Sequence, residues 1–131
     1  MSNANSKLSP RILVVDNDVN LRIMLALMLA GHGYEVGQAD NGEEALSLHR
    51  RQPFDLIITE LAVGGKDGFQ TILELRRGPV RAKVIATARM NWLPADFCLR
   101  MAEHLGAHSV LAKPYEPEQL LAAVRSALDK N

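Results

Sequence analysis

A chain of 131 residues is long enough for one domain built around a single core. Its residues are 47% hydrophobic and 23% charged, and fifteen basic side chains balance fifteen acidic ones. That balance argues against nucleic-acid binding by this domain, which normally needs a basic excess, and no apolar stretch approaches the ~20 residues that span a bilayer. The lone Cys98 can form no internal disulfide, as suits a cytoplasmic protein in a reducing compartment. Residues 1–9 begin Met1-Ser2-Asn3-Ala4-Asn5-Ser6, without the basic-then-apolar layout of a secretion signal. They read as a disordered or cloning-derived start, and residues 10–131 as the domain.

Arg11-Ile12-Leu13-Val14-Val15 is short, rich in β-branched residues and continuously apolar, which predicts a strand covered on both faces. Asp18 is placed to cap the next segment, where Leu21, Met24, Leu25, Met28 and Leu29 repeat at helical spacing until Gly31 and Gly33. Tyr34 to Ala39 reads as a second strand, interrupted by Gly37. Asn41-Gly42 opens a helix that runs toward Arg51 and ends before Pro53. A third strand is predicted over Leu56 to Thr59, a helix over Asp67 to Arg77, and a fourth strand over Lys83 to Thr87. Leu93, Phe97, Met101 and Leu105 fall four apart and form one apolar helical stripe, ended by Gly106. Ser109 to Ala112 is the fifth strand. Pro117 starts the last helix, whose Leu120, Leu121, Val124 and Leu128 form its buried side.

Strict alternation of buried strands with helices predicts an α/β fold: a five-stranded parallel sheet, doubly wound as (βα)5 and flavodoxin-like. In such sheets the chemistry gathers at the carboxyl ends of the strands. Those ends carry Asp16, Asn17, Glu60, Thr87 and Lys113.

Four groups of residues, in this order, carry a family resemblance: Val14-Val15-Asp16-Asn17-Asp18; Asp55-Leu56-Ile57-Ile58-Thr59-Glu60 with Asp67-Gly68; Thr87-Ala88; and Lys113-Pro114. Over Arg11 to Leu128 the chain resembles the receiver domain of two-component response regulators. The resemblance implies a pocket in which two adjacent acids and a phosphoaccepting aspartate hold Mg²⁺. Their counterparts are Asp16, Asn17 and Glu60, with the main-chain oxygen of Ala62 as a further ligand. It assigns Lys113 to pairing with the acceptor, Pro114 to a cis peptide, and Thr87 to the hydroxyl that moves on activation. Asp18 lies beyond the metal pair and reads as the helix cap.

The chain departs from that pattern at several points. Asn17 offers an oxygen but no charge. Glu60 replaces aspartate and pushes its carboxylate roughly 1.5 Å farther along the stem, where misplacements near 1 Å cost ~10²-fold. Mg²⁺ is therefore expected to bind weakly or not at all, no cofactor is required, and phosphoryl transfer, which relies on positioning and metal charge, should suffer with it. Val110 stands where many receivers carry an aromatic switch residue, and Gly64 where they often carry proline. The stretch from Thr87 to Lys113 is longer than the family pattern, with the surplus placed around Arg89-Met90-Asn91-Trp92-Leu93-Pro94. That puts Trp92 and Leu93 on the expected partner surface, although covering the core is the commoner role of a lone tryptophan.

The reading is a non-enzymatic receiver that works as a phosphorylation-independent protein-interaction module. Glu60 either imitates the phosphorylated state, with less charge and one oxygen fewer than a phosphoryl group, or leaves an inert pocket. Its partners are a sensor kinase, a phosphotransfer protein or an output protein; a homodimer is open, and no membrane contact is expected. No output domain is expected after the last helix. Conventional receiver function with weak or alternative phosphorylation is the alternative. A haloacid-dehalogenase-like phosphatase using Asp16 as nucleophile is disfavoured, because no acidic metal motif follows Lys113. A flavodoxin-like nucleotide binder would need a phosphate loop where Asp16-Asn17-Asp18 stands. His32, His49, His104 and His108 show no metal spacing and default to the surface, and Cys98 reads as a small buried side chain.

Overall fold

The computed structural model of the chain describes residues 9–61, 68–89 and 95–129. Ten elements alternate along it: β1 (Arg11–Val15), α1 (Val19–Gly31), β2 (Glu35–Ala39), α2 (Gly42–Arg51), β3 (Leu56–Glu60), α3 (Gly68–Arg77), β4 (Lys83–Arg89), α4 (Ala95–Leu105), β5 (Ser109–Lys113) and α5 (Pro117–Asp129). The strands form one parallel sheet in the order β2-β1-β3-β4-β5. This is the doubly wound α/β arrangement expected from the alternation. Four strand ends differ from expectation: β2 starts at Glu35, β3 includes Glu60, β4 runs two residues past Thr87 to Arg89, and β5 includes Lys113.

Alternate side chains of each strand feed opposite cores, as the pleat requires. Leu13, Val15, Ile57, Val84 and Ala86 pack on the α2–α3 side with Ala45, Leu46, Ile72 and Leu75. Ile12, Val14, Leu56, Ile58 and Ile85 pack on the α1–α5 side with Leu25, Leu29, Leu120, Leu121 and Val124. Both faces being covered explains why the strand sequences are apolar throughout rather than alternating.

Local chemistry sets the helix ends. The Asp18 side chain accepts from the Leu21 N–H at 3.1 Å, a cap worth about 1 kcal/mol. Asn41 does the same for Glu44 at 2.9 Å, while the Glu44 carboxylate accepts from the Asp40 N–H at 2.7 Å. Gly33 adopts φ 94°, a conformation that favours glycine, just after α1. The gap left by Gly37 in β2 is filled by the Phe54 ring, which would collide with a Cβ there.

Three packing details revise the sequence reading. His49 is buried rather than on the surface: its Nδ1 accepts the Phe54 N–H at 3.0 Å and its Nε2 donates to the Val80 carbonyl at 3.0 Å. Met24 joins Val19, Ile23 and Leu27 on an exposed face of α1 instead of the core. On α4, Leu105 packs against the core but Phe97 is 47% exposed. Leu93 and the side chains of Met101 and Cys98 lie outside the described residues.

Candidate functional site

Strand register assembles the site. Glu60 at the end of β3 stands opposite Thr87 of β4, and Arg89 of β4 stands opposite Lys113 of β5. Asp16 directly follows β1, whose Val15 pairs with Thr59. Counting by twos from the buried Ile12, Val14, Leu56, Ile58 and Ile85 leads to Asp16, Glu60, Thr87 and Arg89. All four therefore lie on the α1–α5 side of the sheet, at its carboxyl edge, where doubly wound proteins place their sites.

The side chains converge on two carboxylates. Lys113 Nζ donates to Asp16 Oδ2 at 2.7 Å and to Glu60 Oε2 at 2.9 Å. Arg89 Nε donates to that same Glu60 oxygen at 3.0 Å. Glu60 is 1% exposed and Lys113 12% exposed, whereas Arg89 is 45% exposed and reaches in from the solvent side. Two carboxylates thus face two cations, with no formal excess charge among the four. A buried carboxylate needs such partners, because its desolvation is otherwise prohibitive.

Neighbouring groups hold this arrangement. Asp16 Oδ1 accepts the Asp18 N–H at 2.9 Å, turning the carboxylate toward Lys113. The Asp16 carbonyl accepts from Arg22, whose guanidinium also reaches Gln38 and Asp40. Gly68 opens α3 directly against the end of β3: its N–H donates to the Leu61 carbonyl at 3.0 Å, and a Cβ there would overlap the main chain of Glu60 and Leu61. The peptide between Lys113 and Pro114 is cis.

The charges leave their mark on nearby titrations. The bond to Glu60 and its Coulomb attraction raise the Arg89 pKa above the usual guanidinium range, opposed by desolvation and helped by Asp16 and Asp18. Burial, then the charges of Asp16 and Glu60, push the Tyr115 hydroxyl up to about 12.

A receiver-type Mg²⁺ site fits these residues poorly. One oxygen of each acid is already engaged: Asp16 Oδ2 accepts from Lys113, and Glu60 Oε2 accepts from both Lys113 and Arg89. Asn17 is exposed and uncharged. Among the described residues, no group of three or more His, Cys, Asp or Glu is arranged to hold a metal ion. Such a site demands near-ideal octahedral oxygen geometry, which two N–H donors on one ligand oxygen do not leave open.

The sequence-predicted residues distribute as follows. Asp16, Glu60 and Lys113 are brought into contact, and Thr87 is buried opposite Glu60. Asp18 caps α1 from an exposed position, and Val110 is partly buried against the core. Ala62, Gly64, Trp92 and Leu93 lie outside the described residues. Arg89, assigned from sequence to the lengthened segment after β4, belongs to the strand and to the site. Its place two residues after Thr87, on the same strand face, was the signal that could have found it.

A doubly wound parallel sheet with a lysine-bridged acidic pair at its carboxyl edge defines a receiver-type α/β protein. Comparison with known proteins agrees: residues 12–125 match the family described as response regulator receiver domain, and the chain belongs to that family. It is 33% identical over 121 residues to the DNA-binding response regulator MtrA of Mycolicibacterium paratuberculosis, covering 92% of this chain and 52% of that protein. It is 34% identical over 119 residues to the probable transcriptional regulator ycf27 of Porphyridium aerugineum, covering 90% and 48%. The chain thus spans about half the length of these relatives. Among solved structures it resembles the chemotaxis response regulator CheY4 of Vibrio cholerae, with TM-score 0.81, 26% identity and coverage of 91% and 98%. A CheY-like receiver domain protein of Methanospirillum hungatei gives TM-score 0.80, 25% identity and coverage of 92% and 94%.

Proposed function

We propose that this receiver domain works without phosphorylation, as a cytoplasmic, non-enzymatic protein-interaction module of two-component signalling. The observation that carries the reading is the Glu60 carboxylate itself, buried and held by Lys113 and Arg89 through one oxygen. A phosphoacceptor must present a free oxygen in line with the incoming phosphorus, with a metal to neutralise charge. Glu60 instead spends its reach on a standing bond to Lys113. The lysine is thereby engaged permanently, as a phosphoryl group would engage it, by a single negative charge. Mg²⁺ binding is weak on this reading, because the acidic pair is already matched by cations.

Partner contact is supported by the exposed apolar side chains Val19, Ile23, Met24 and Leu27 on α1, whose only charged residue, Arg22, is turned toward Asp40 and Gln38. The partner class is a sensor kinase, a phosphotransfer protein or an output protein, with a second copy of the chain as a further case. No described helix is long and apolar enough to cross a membrane.

The deciding experiment is incubation with acetyl phosphate and Mg²⁺, read by intact mass. The unmodified mass is expected to persist. A phosphoryl adduct that Glu60→Gln abolishes would instead establish the conventional receiver reading, with glutamate as acceptor.

A further inference from the structure

We propose that Arg89 is the resident cation of the acidic pocket and that, by holding Glu60, it closes this pocket to Mg²⁺. The inference deepens the reading of Glu60 given above and rests on the same pocket. Its test uses metal binding alone, so phosphorylation and metal exclusion succeed or fail separately.

Charge matching is the first argument. Lys113 alone would leave the Asp16–Glu60 pair one positive charge short, and that deficit is what attracts a further cation to a buried acidic pair. Arg89 supplies that charge from within the chain, through a bond of 3.0 Å to Glu60. The neutral Asn17 fits the same balance. A third carboxylate there would restore the deficit; an amide does not.

Position is the second argument. The two-residue extension of β4 past Thr87 brings Arg89 level with Lys113 in the sheet. The two cations approach Glu60 Oε2 from adjacent strands. Glu60 is buried and Arg89 is 45% exposed, so Arg89 stands between the Glu60 carboxylate and solvent. The longer stem of Glu60 matters here, because an aspartate at the end of β3 would fall roughly 1.5 Å short of the same partner.

An ordinary surface ion pair is the competing account, and such pairs are worth only about 0–1 kcal/mol. It does not describe this one, because one partner is fully buried and shares its oxygen with a second cation. Mg²⁺ would have to break the guanidinium bond, force Glu60 Oε2 to turn away from two donors, and surrender part of its own hydration shell.

The test is a Mg²⁺ titration of the ¹⁵N-labelled chain at constant ionic strength, following the amides of Asp16, Leu61 and Thr87. The unsubstituted chain is expected to show no saturable shift into the tens of millimolar. Arg89→Gln removes the charge but keeps an amide; it should gain saturable binding at least ~10-fold tighter, localised by Mn²⁺ broadening of the same amides. Arg89→Lys restores a cation and should return the pocket to its closed state. The far-UV spectrum of each variant confirms the fold, which a half-exposed side chain leaves intact. Saturable binding by the unsubstituted chain overturns the proposal. So does an Arg89→Gln variant that stays closed, or an Arg89→Lys variant that binds as Arg89→Gln does.

Discussion

Arg89 and Lys113 stand opposite each other on adjacent parallel strands and donate to the same oxygen, Oε2 of Glu60, from 3.0 and 2.9 Å. Lys113 then reaches Asp16 at 2.7 Å, so a single chain of charge-assisted bonds crosses four strand ends, those of β1, β3, β4 and β5. This linkage makes the pocket respond as a unit, and its members can be tested one at a time.

Lys113 is the member both carboxylates share. Replacing it by methionine keeps the aliphatic stem but leaves Asp16 without its lysine and Glu60 with Arg89 alone. Breaking a buried pair by removing one partner costs about 3–5 kcal/mol, far above what the intact pair adds net. Urea denaturation of Lys113→Met should show a loss near the lower end of that range, and a loss below about 1 kcal/mol would mean that solvent already screens the carboxylates.

Shortening Glu60 should open the pocket to phosphoryl transfer. Glu60→Asp withdraws the carboxylate from Arg89, and Asn17→Asp returns the missing charge. The double variant is expected to take a phosphoryl group from acetyl phosphate in a Mg²⁺-dependent manner, and adding Arg89→Gln should lower the Mg²⁺ concentration required. Continued inertness of both the double and the triple variant would place the block elsewhere, in Val110 or in the segment after β4.

Gly68 separates two effects of opposite sign. Alanine is a better helix former than glycine by about 1 kcal/mol, and Gly68 opens α3. Yet a Cβ there would overlap the main chain of Glu60 and Leu61, which cannot move aside as a flexible side chain could. The clash should win, making Gly68→Ala destabilising by more than ~2 kcal/mol and shifting the amide of Leu61. A variant as stable as the parent would show that the junction between β3 and α3 is softer than its close approach indicates.

Tyr115 predicts a change at high pH. In the fold its hydroxyl titrates at about 12 against an ordinary 10.0, mainly through burial and then through Asp16 and Glu60. The unfolded chain therefore loses this proton first, and stability held by the neutral hydroxyl is complete below pH 10 and drains between pH 10 and 12. Tyr115→Phe removes the titration, so the stability difference between the two proteins should shift in favour of phenylalanine across that window. At neutral pH the substitution should be near neutral, since the buried hydroxyl has no protein partner among the described residues. A difference that stays flat from pH 9 to pH 12 would rule this out.

Much of the fold was legible because its signals are local or periodic. Short continuous apolar runs mark strands covered on both sides, Asp18 and Asn41 announce helices, and Pro117 begins the last one. The strand ends then place Asp16, Glu60 and Lys113 together with no knowledge of side-chain geometry. Arg89 was missed because the predicted strand ended at Thr87, two residues short of the observed β4. A charged residue on a strand looks like a loop residue until its partner across the sheet is known. His49 was missed for a related reason: it sits near the end of α2, where histidines usually face water. Its two bonds are made to main-chain groups of Phe54 and Val80, which no side-chain pattern reveals. The strand end places the Glu60 carboxylate, but its second cation lay beyond the reach of spacing alone.

The bond from Lys113 to Asp16 joins residues 97 positions apart. As the chain emerges during synthesis, both carboxylates are made long before the lysine that links them. A nascent chain that has not yet produced β5 can fold four strands only by leaving Asp16 and Glu60 short of a cation or leaving them in water. Final docking of β5 and completion of the pocket therefore coincide, and the contact that defines the site is also among the most non-local in the molecule, the kind that slows folding most.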